Sequence, residues 1–311
     1  MISEHGRLGG TEVAEVLALI GAVVDADGVS PVSEHALLHL RHGGDRDAHN
    51  LLLRNHSGVL AGYAHLDATD LVEGASAELA VHPEPREQGR GAALVGAVER
   101  RTRDGRLRLW AHGRHPGAEA LARAFGYEQS RVLWQMRKSL LAHLPHLPVP
   151  EGFGLRAFVV GQDEQAWTEL NNRAFAEHPD QGGWSLTEIH TREKEPWFDP
   201  AGFLLAERDS DRELVGFHWT KVHGGVREPG HGHDHDPLGE VYVVGVDPSV
   251  QGQGLGPALT VAGLRYLRGR GLAQVMLYVD ESNTAAIRVY ERLGFIRWDV
   301  DVSYRRTSRR D

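Results

Sequence analysis

Two stretches of this chain share one glycine-rich pattern, and this repeat limits the possible folds more than any other feature. The first reads VHPEPREQGRGAAL from Val81 to Leu94, and the second reads VDPSVQGQGLGPAL from Val246 to Leu259. In each, an apolar run precedes the glycines and apolar residues at helical spacing follow them. A glycine–aromatic pair recurs downstream of both, at Gly126 and at Gly294. The repeat predicts a duplicated fold in which each half runs strand, glycine turn, helix, strand, helix, strand.

A proline-rich segment, HLPHLPVPEGFG, separates the two halves. We therefore predict an N-terminal domain at 1–140, a linker at 141–152 and a C-terminal domain at 153–311. Apolar runs at Glu240–Asp247 and Leu272–Asp280 read as strands that alternate with helices. This alternation predicts an α/β or α+β fold with partly parallel strand pairing.

Composition excludes several classes of function. The 311 residues are 41% apolar and 25% charged, as in ordinary globular proteins, and no apolar run approaches the roughly 20 residues of a membrane helix. The chain has no cysteine, so disulfides, thiolate metal sites and a cysteine nucleophile are excluded within it. Its net charge of −9 argues against a general nucleic-acid surface. We expect a cytoplasmic monomer whose partners are small molecules, with neither nucleic acid nor membrane among them.

A histidine-rich tract, HGHDHD, contains His231, His233 and His235. Such tracts bind metals in some proteins. This one lies in a loop rich in Gly, Asp and Pro, with no further ligand set at useful spacing. We therefore expect a solvated loop and no metal.

The glycine turns have two interpretations. In one, they only connect tightly packed elements; in the other, they expose the backbone N–H groups of a helix N-terminus, which bind phosphate. Gln251 and its counterpart Arg86 would add side-chain donors. No Lys-Ser/Thr follows, so the pattern is not a P-loop. Two copies in the same context favour phosphate binding.

The second turn resembles the acyl-CoA pyrophosphate loop of the GNAT acetyltransferase superfamily, whose pattern is Q/R-x-x-G-x-G/A. ESNTAAIRVYERLGF, from Glu281 to Phe295, resembles the next conserved block of that superfamily. EVYVVGVDP and LWQMRKSL (Leu133–Leu140) bring the chain close to one member family, mycothiol synthase. The resemblance implies two tandem GNAT domains, each a mixed, mostly antiparallel sheet flanked by helices. It also implies an actinobacterial enzyme that uses acetyl-CoA to acetylate the cysteinyl amine of Cys-GlcN-inositol, with catalysis in the C-terminal half.

The resemblance also implies residues that bind acetyl-CoA in each half. In the first half these are Leu79, Ala80, Val81, Arg86, Gln88, Gly89, Arg90 and Gly91. In the second half they are Val244, Gly245, Val246, Gln251, Gly252, Gln253, Gly254, Leu255, Gly256, Pro257, Asn283, Ala286 and Arg288. The backbone from Val244 to Val246 would pair with the pantetheine amides and polarise the thioester carbonyl.

Acetyl transfer to an amine needs a neutral amine and a proton for the departing thiolate. Strand alternation predicts that Glu240, Tyr242, Val244 and Val246 share one face. By resemblance Glu240 is the general base and Tyr290 the general acid. Read from position alone, Glu240 is a solvated carboxylate and Tyr290 a core aromatic. Asn283 has a second role as a helix N-cap residue.

The first half lacks these groups. In the internal alignment Glu240 falls on Ala75, Asn283 on His115 and Tyr290 on Ala122. We therefore predict that this half binds an acyl-CoA, or is a structural relic, and does not turn over.

Acceptor contacts are carried over from the family resemblance. They are Glu34, Glu177, Lys221 and Tyr278, together with Glu240. Read without the resemblance, these are an exposed helix residue, solvated charges and a half-buried aromatic. Two other functions stay open: an acetyltransferase for another small amine, such as an aminoglycoside or a peptide, and a non-catalytic acyl-CoA sensor.

Overall fold

The computed structural model describes residues 1–44, 47–70, 74–84, 86–102, 105–176, 183–224 and 237–306. The strands are β1 Ile2–His5, β2 Ala48–Arg54, β3 Leu60–Asp67, β4 Ala75–Val81, β5 Leu107–Ala111, β6 Tyr127–Ser139, β7 Phe153–Ala157, β8 Phe203–Arg208, β9 Leu214–His223, β10 Leu238–Val246, β11 Gln274–Asp280 and β12 Ile296–Arg306. The helices are α1 Gly10–Asp27, α2 Glu34–His42, α3 Arg90–Glu99, α4 Pro116–Ala124, α5 Glu164–Ala174, α6 Leu186–Arg192, α7 Leu255–Gly269 and α8 Thr284–Arg292. No helix in the described ranges has the length and apolar character needed to cross a bilayer.

The chain divides into two compact units. Among the described residues, one unit holds 1–134 and 299–306, and the other holds 135–224 and 237–298. These divisions differ from the predicted boundaries at 140 and 153. Gln135–Ser139 of β6 belongs to the C-terminal unit, whereas Asp299–Arg306 of β12 belongs to the N-terminal unit. Each unit is therefore completed by a strand segment from the other half of the sequence.

In the N-terminal unit, β1 to β5 lie side by side in chain order, and the last part of β12 follows β5. Only β4 and β5 are parallel among the described pairings of this unit. Helix α3 covers one face of this sheet, where Leu94, Val95 and Val98 are buried. Helix α1 covers the other face through Val16 and Ile20.

The C-terminal unit repeats this plan. Strands β7 to β11 lie in chain order, with parallel pairing of β10 and β11 and antiparallel pairing from β7 to β10. Helix α7 covers one face, and α5 packs on the other against a core of aromatic rings that includes Trp167 and Trp219. Both units are mixed, mostly antiparallel sheets flanked by helices, and this confirms the predicted fold class.

The predicted linker, 141–152, contains neither helix nor strand. It is nevertheless packed on the C-terminal unit. Leu144 is buried, Val149 contacts the apolar cluster beneath α7, and Arg265 donates a hydrogen bond to the carbonyl of Pro145 (3.0 Å).

Candidate functional site

Strands β10 and β11 separate soon after they meet. Their pairing covers three positions, from Gly239 opposite Val275 to Val241 opposite Leu277. β10 then continues to Val246 and keeps its pairing with β9. Within the described pairings, the edge of β10 from Val243 to Val246 that faces away from β9 has no strand partner. An extended amide chain such as pantetheine has hydrogen-bonding groups suited to such an edge.

A β-bulge interrupts β10 at Tyr242. Val241 lies opposite Thr220 and Val243 lies opposite Trp219, so the strand register passes over Tyr242, which is the extra residue of the bulge. An extra residue resets the alternation of side chains along a strand.

The predicted common face of Glu240, Tyr242, Val244 and Val246 is therefore wrong. Tyr242 packs against the aromatic core, whereas Val244 and Val246 pack in the cluster beneath α7. Gly245 has turned toward the aromatic core, where a Cβ would lie 2.8 Å from the Phe217 ring.

The turn after β10 has the geometry of an anion site. Gly252 and Gly254 have φ angles of 81° and 84°, in the left-handed region that glycine adopts without strain. Gly254 is the N-cap of α7, and the first turn of that helix carries no acidic residue. The first N–H groups of a helix lack intrahelical partners and carry partial positive charge. This end of α7 is therefore suited to phosphate. The side-chain amide of Gln251 donates instead to the carbonyl of Val246 (3.3 Å).

The first copy of the turn keeps the same backbone shape. Gly89 has φ 72° and is the N-cap of α3. Glu87, which matches Gly252 in the internal alignment, has φ 62°, although this region is unfavourable for a residue with a side chain. The loop thus retains the left-handed position without its glycine.

Arg86, predicted to bind phosphate in the first copy, is already engaged. Its guanidinium makes two bonds to the Asp27 carboxylate, at 2.8 and 2.6 Å, and lies 3.0 Å from Nε2 of His115. The other predicted contacts of this half lie close by. They are Leu79, Ala80 and Val81 at the end of β4, and Gln88, Arg90 and Gly91 around the start of α3.

Glu240 lies in a buried cluster of charged and aromatic side chains. It stands opposite Lys221 in the β9–β10 register, and both residues are nearly inaccessible, at 7% and 8% exposure. Nε2 of His223 lies 2.6 Å from a Glu240 carboxylate oxygen. The Lys221 ammonium lies 4.7 Å from the ring centre of Trp197. Glu240 is therefore not a solvated loop residue but a buried carboxylate that contacts an imidazole.

Tyr278 belongs to the same face of the sheet as Glu240. Met276 is directly opposite Glu240 in the β10–β11 register, and Tyr278 is two residues further along the strand. Tyr278 is 39% exposed, and its hydroxyl accepts a hydrogen bond from the side-chain amide of Gln135 (2.9 Å). The structure thus brings three predicted residues, Glu240, Lys221 and Tyr278, onto one face.

Tyr290 lies on α8 and is 8% exposed. Its ring contacts Phe295 edge-on at 5.8 Å. Burial raises the pKa of Tyr290 to about 12, so the phenol keeps its proton at neutral pH. Both the catalytic and the core interpretation are compatible with this position.

Asn283 has the N-cap role that its position suggests. Its side-chain oxygen accepts from the backbone N–H of Ala286 (3.1 Å) at the start of α8. In the first half, His115 caps α4 in the same way through Gly117. Asn283 and Arg288 are exposed and Ala286 is half-buried; their contact with CoA stays a prediction.

Other predicted residues lie elsewhere. Glu34 is the first residue of α2 in the N-terminal unit, where it is half-buried. Glu177 lies outside the described residues, and so do His231, His233 and His235.

Sequence reasoning missed two groups of polar residues. His223 contacts Glu240 across the β9–β10 pair, and the strand register needed to find it is not visible in the sequence. In the N-terminal unit, His112 lies 2.8 Å from Asp301 and 3.6 Å from Glu78. Burial alone would lower the pKa of His112, but its bonds to Asp301 and Glu78 raise it to about 10. Burial opposes ionisation of Glu78 as well, yet contact with His112 lowers its pKa to about 2.

Comparison with known proteins identifies the relatives of this chain. The model of the acetyltransferase (GNAT) family matches residues 24–127 and 165–295. The mycothiol acetyltransferase of Streptosporangium roseum is 55% identical over 98% of this chain and 99% of that protein. The mycothiol acetyltransferase of Acidothermus cellulolyticus is also 55% identical, over 98% of this chain and 94% of its own length.

Solved structures share the tandem architecture. A GCN5-related N-acetyltransferase from Sphaerobacter thermophilus is 27% identical, with a TM-score of 0.69 over 98% of this chain and 95% of that one. A tandem GNAT protein from the clavulanic acid biosynthesis pathway is 20% identical, with a TM-score of 0.71 over 99% of both chains, and this likeness concerns the fold alone.

Proposed function

We propose that this chain, which belongs to the acetyltransferase (GNAT) family and within it to the mycothiol acetyltransferases, transfers the acetyl group of acetyl-CoA to the cysteinyl amine of Cys-GlcN-inositol. The observation that carries the proposal is the buried Glu240, on one sheet face with Lys221 and Tyr278, beside the unpaired edge of β10. A pure acyl-CoA sensor has no need of a buried carboxylate at that position.

In the proposed reaction the amine nitrogen attacks the thioester carbonyl carbon, and the bond from that carbon to sulfur breaks. Glu240 takes the amine proton, directly or through water. An α-amine has a reference pKa of about 7.7–8.0, so the neutral amine is readily available near neutral pH. His223 holds one carboxylate oxygen of Glu240 and is a positioning residue. The cofactor lies along the free edge of β10, with its pyrophosphate at the N-terminus of α7.

Tyr290 is the proposed partner of the departing sulfur. A phenol with a pKa of about 12 transfers its proton to a thiolate of reference pKa about 8.5 at a cost of roughly 5 kcal/mol. We therefore assign Tyr290 a hydrogen bond that stabilises the charge developing on sulfur as the carbon–sulfur bond breaks. The CoA thiolate then takes its proton from solvent, to which Glu240 returns the proton of the amine. Lys221, Tyr278, Glu34 and Glu177 are the proposed acceptor contacts.

The test is mass spectrometry of the products from acetyl-CoA and Cys-GlcN-inositol, with wild type and Glu240→Gln side by side. Thiol dyes are unsuitable because the acceptor carries its own thiol. An N-acetylated product whose rate falls about 10²-fold in the variant supports both the reaction and the base. A wild-type protein that binds acetyl-CoA but gives no product, while another small amine is acetylated, contradicts the acceptor assignment and leaves the family assignment intact.

A further inference from the structure

The N-terminal unit contains a group of metal-ligating side chains that the proposed reaction does not use. His35 and His39 are four residues apart on α2 and therefore share one face of the helix. Nε2 of His35 lies 2.7 Å from Oδ2 of Asp67, the last residue of β3. One ligand atom from each of these three residues lies within 4.8 Å of the other two. We call these three residues the α2–β3 cluster.

Neighbouring groups orient the members of the cluster. The other oxygen of Asp67, Oδ1, accepts hydrogen bonds from the Thr69 backbone N–H (2.9 Å) and hydroxyl (2.7 Å). This arrangement turns Oδ2 toward His35. Nδ1 of His39 lies 3.2 Å from Nε2 of His65, a residue with 3% exposure. Metal-binding histidines and carboxylates are commonly held in this way by a second set of polar groups.

The chemistry of the donors selects the ion. Two imidazoles and one carboxylate suit Zn²⁺ and related divalent transition metals, whereas Ca²⁺ and Mg²⁺ prefer oxygen ligands alone. The cluster is also open to solvent, since the His35 side chain is 51% exposed. Zinc–ligand bonds of about 2.0–2.2 Å hold ligand atoms roughly 3–3.5 Å apart, so small rotations of these side chains close the site.

We propose that the α2–β3 cluster is a binding site for a divalent transition ion of the Zn²⁺ class, held by His35, His39 and Asp67, with water in the remaining position. The ion replaces the proton shared between His35 and Asp67, which is released to solvent. Because the ligands come from α2 and from the end of β3, the ion ties this helix to the sheet of the N-terminal unit. The proposal is independent of the acetyl-transfer reaction.

The experiment is calorimetric titration of the chelator-treated full chain with Zn²⁺. His231, His233 and His235, in the histidine-rich tract of the sequence, are a competing source of binding, so all three are changed to alanine in the background protein. We expect one equivalent of Zn²⁺ per chain in this background, and a loss of affinity of at least 10²-fold in His35→Ala/His39→Ala. His56→Ala, which removes an exposed histidine elsewhere in the same unit, is the matched control and leaves the titration unchanged.

A milder variant separates binding from misfolding. Thr69 is exposed, and Thr69→Ala removes one of the two donors to Asp67 without touching a ligand. We expect it to weaken Zn²⁺ binding about 10-fold. Zn²⁺ should also raise the Tm of the background protein and leave that of the double histidine variant unchanged. The proposal is overturned if the double variant titrates with Zn²⁺ as its parent does, or if the background protein, which lacks His231, His233 and His235, binds no Zn²⁺.

Discussion

Replacing Gly254 by alanine tests the proposed pyrophosphate cradle, which is the glycine turn at the N-terminus of α7. The first copy of the turn supplies a matched control, Gly89→Ala. Both glycines are exposed helix N-caps in the left-handed region, with φ and ψ of 84° and 3° at Gly254 and of 72° and 8° at Gly89. A Cβ at Gly89 would meet nothing within 4 Å, and one at Gly254 would meet only Pro150, at 3.9 Å. Each substitution therefore costs the same left-handed strain of about 1–2 kcal/mol, with no steric clash.

The two variants should differ in function. If the pyrophosphate lies against the N-terminus of α7, a methyl group at position 254 stands between it and the backbone N–H groups. Loss of one charge-assisted hydrogen bond costs about 1.5–3 kcal/mol, which corresponds to a rise of about 10- to 100-fold in KM for acetyl-CoA. Gly89→Ala should lose the same thermal stability and keep the catalytic KM.

The assay is steady-state kinetics with acetyl-CoA as the varied substrate, together with thermal unfolding of both variants. Equal changes in KM would show that catalysis does not depend on the C-terminal cradle alone. An unchanged KM in a Gly254→Ala protein that has lost the expected stability would refute the cradle itself.

Three further predictions follow from the described contacts. His223→Leu should lower kcat about tenfold with an unchanged KM for acetyl-CoA, because the side chain holds Glu240 and not the cofactor. His223→Gln should keep most of the rate, and a rise in KM with an unchanged kcat would contradict a positioning role. Gly263→Ala should destabilise the protein by about 2 kcal/mol, because its Cβ would lie 2.1 Å from the fully buried imidazole ring of His218. The control is Gly269→Ala on the same helix, whose Cβ would meet nothing within 4 Å, and urea unfolding of the two variants measures the difference in stability. His112 has a pKa of about 10 in the folded state against 6.5 for a free histidine, so its contribution to stability is complete below pH 6.5 and is lost as the pH rises through 10. Urea unfolding at pH 6, 8 and 10 should show a free energy of unfolding that falls with pH, and His112→Gln should abolish this dependence.

Much of the fold could be predicted from the sequence because the residues that form each turn are close together in the chain. Gly89 and Gly254 mark the starts of α3 and α7, and the apolar runs before and after them give the strands and the helical faces. The internal alignment also placed His115 on Asn283, and the two residues do cap equivalent helices. Glycine position and apolar period are properties of neighbouring residues, so a single sequence reveals them.

The features that escaped prediction depend on pairing between distant segments. The bulge at Tyr242 has no local signal, since its residues read as a regular strand. The contact of His223 with Glu240 follows from the register of β9 and β10. His112 and Asp301 meet only because the last strand of the chain lies beside β5. In each case the missing information was which strand lies beside which.

The exchanged strand segments offer a physical reason why the first half persists without its own Glu240 or Tyr290. Gln135, from the first half of the sequence, belongs to the C-terminal unit and donates to the hydroxyl of Tyr278. Asp301, from the second half, belongs to the N-terminal unit and neutralises the buried His112. A single cut between the halves therefore cannot release both units intact. A cut at 140 leaves Gln135 on the N-terminal fragment, although it belongs to the C-terminal unit. Any cut between the halves leaves Asp301 on the C-terminal fragment, although it belongs to the N-terminal unit. Loss of the first half would remove a strand segment and a polar partner from the unit proposed to carry catalysis, whatever the first half binds.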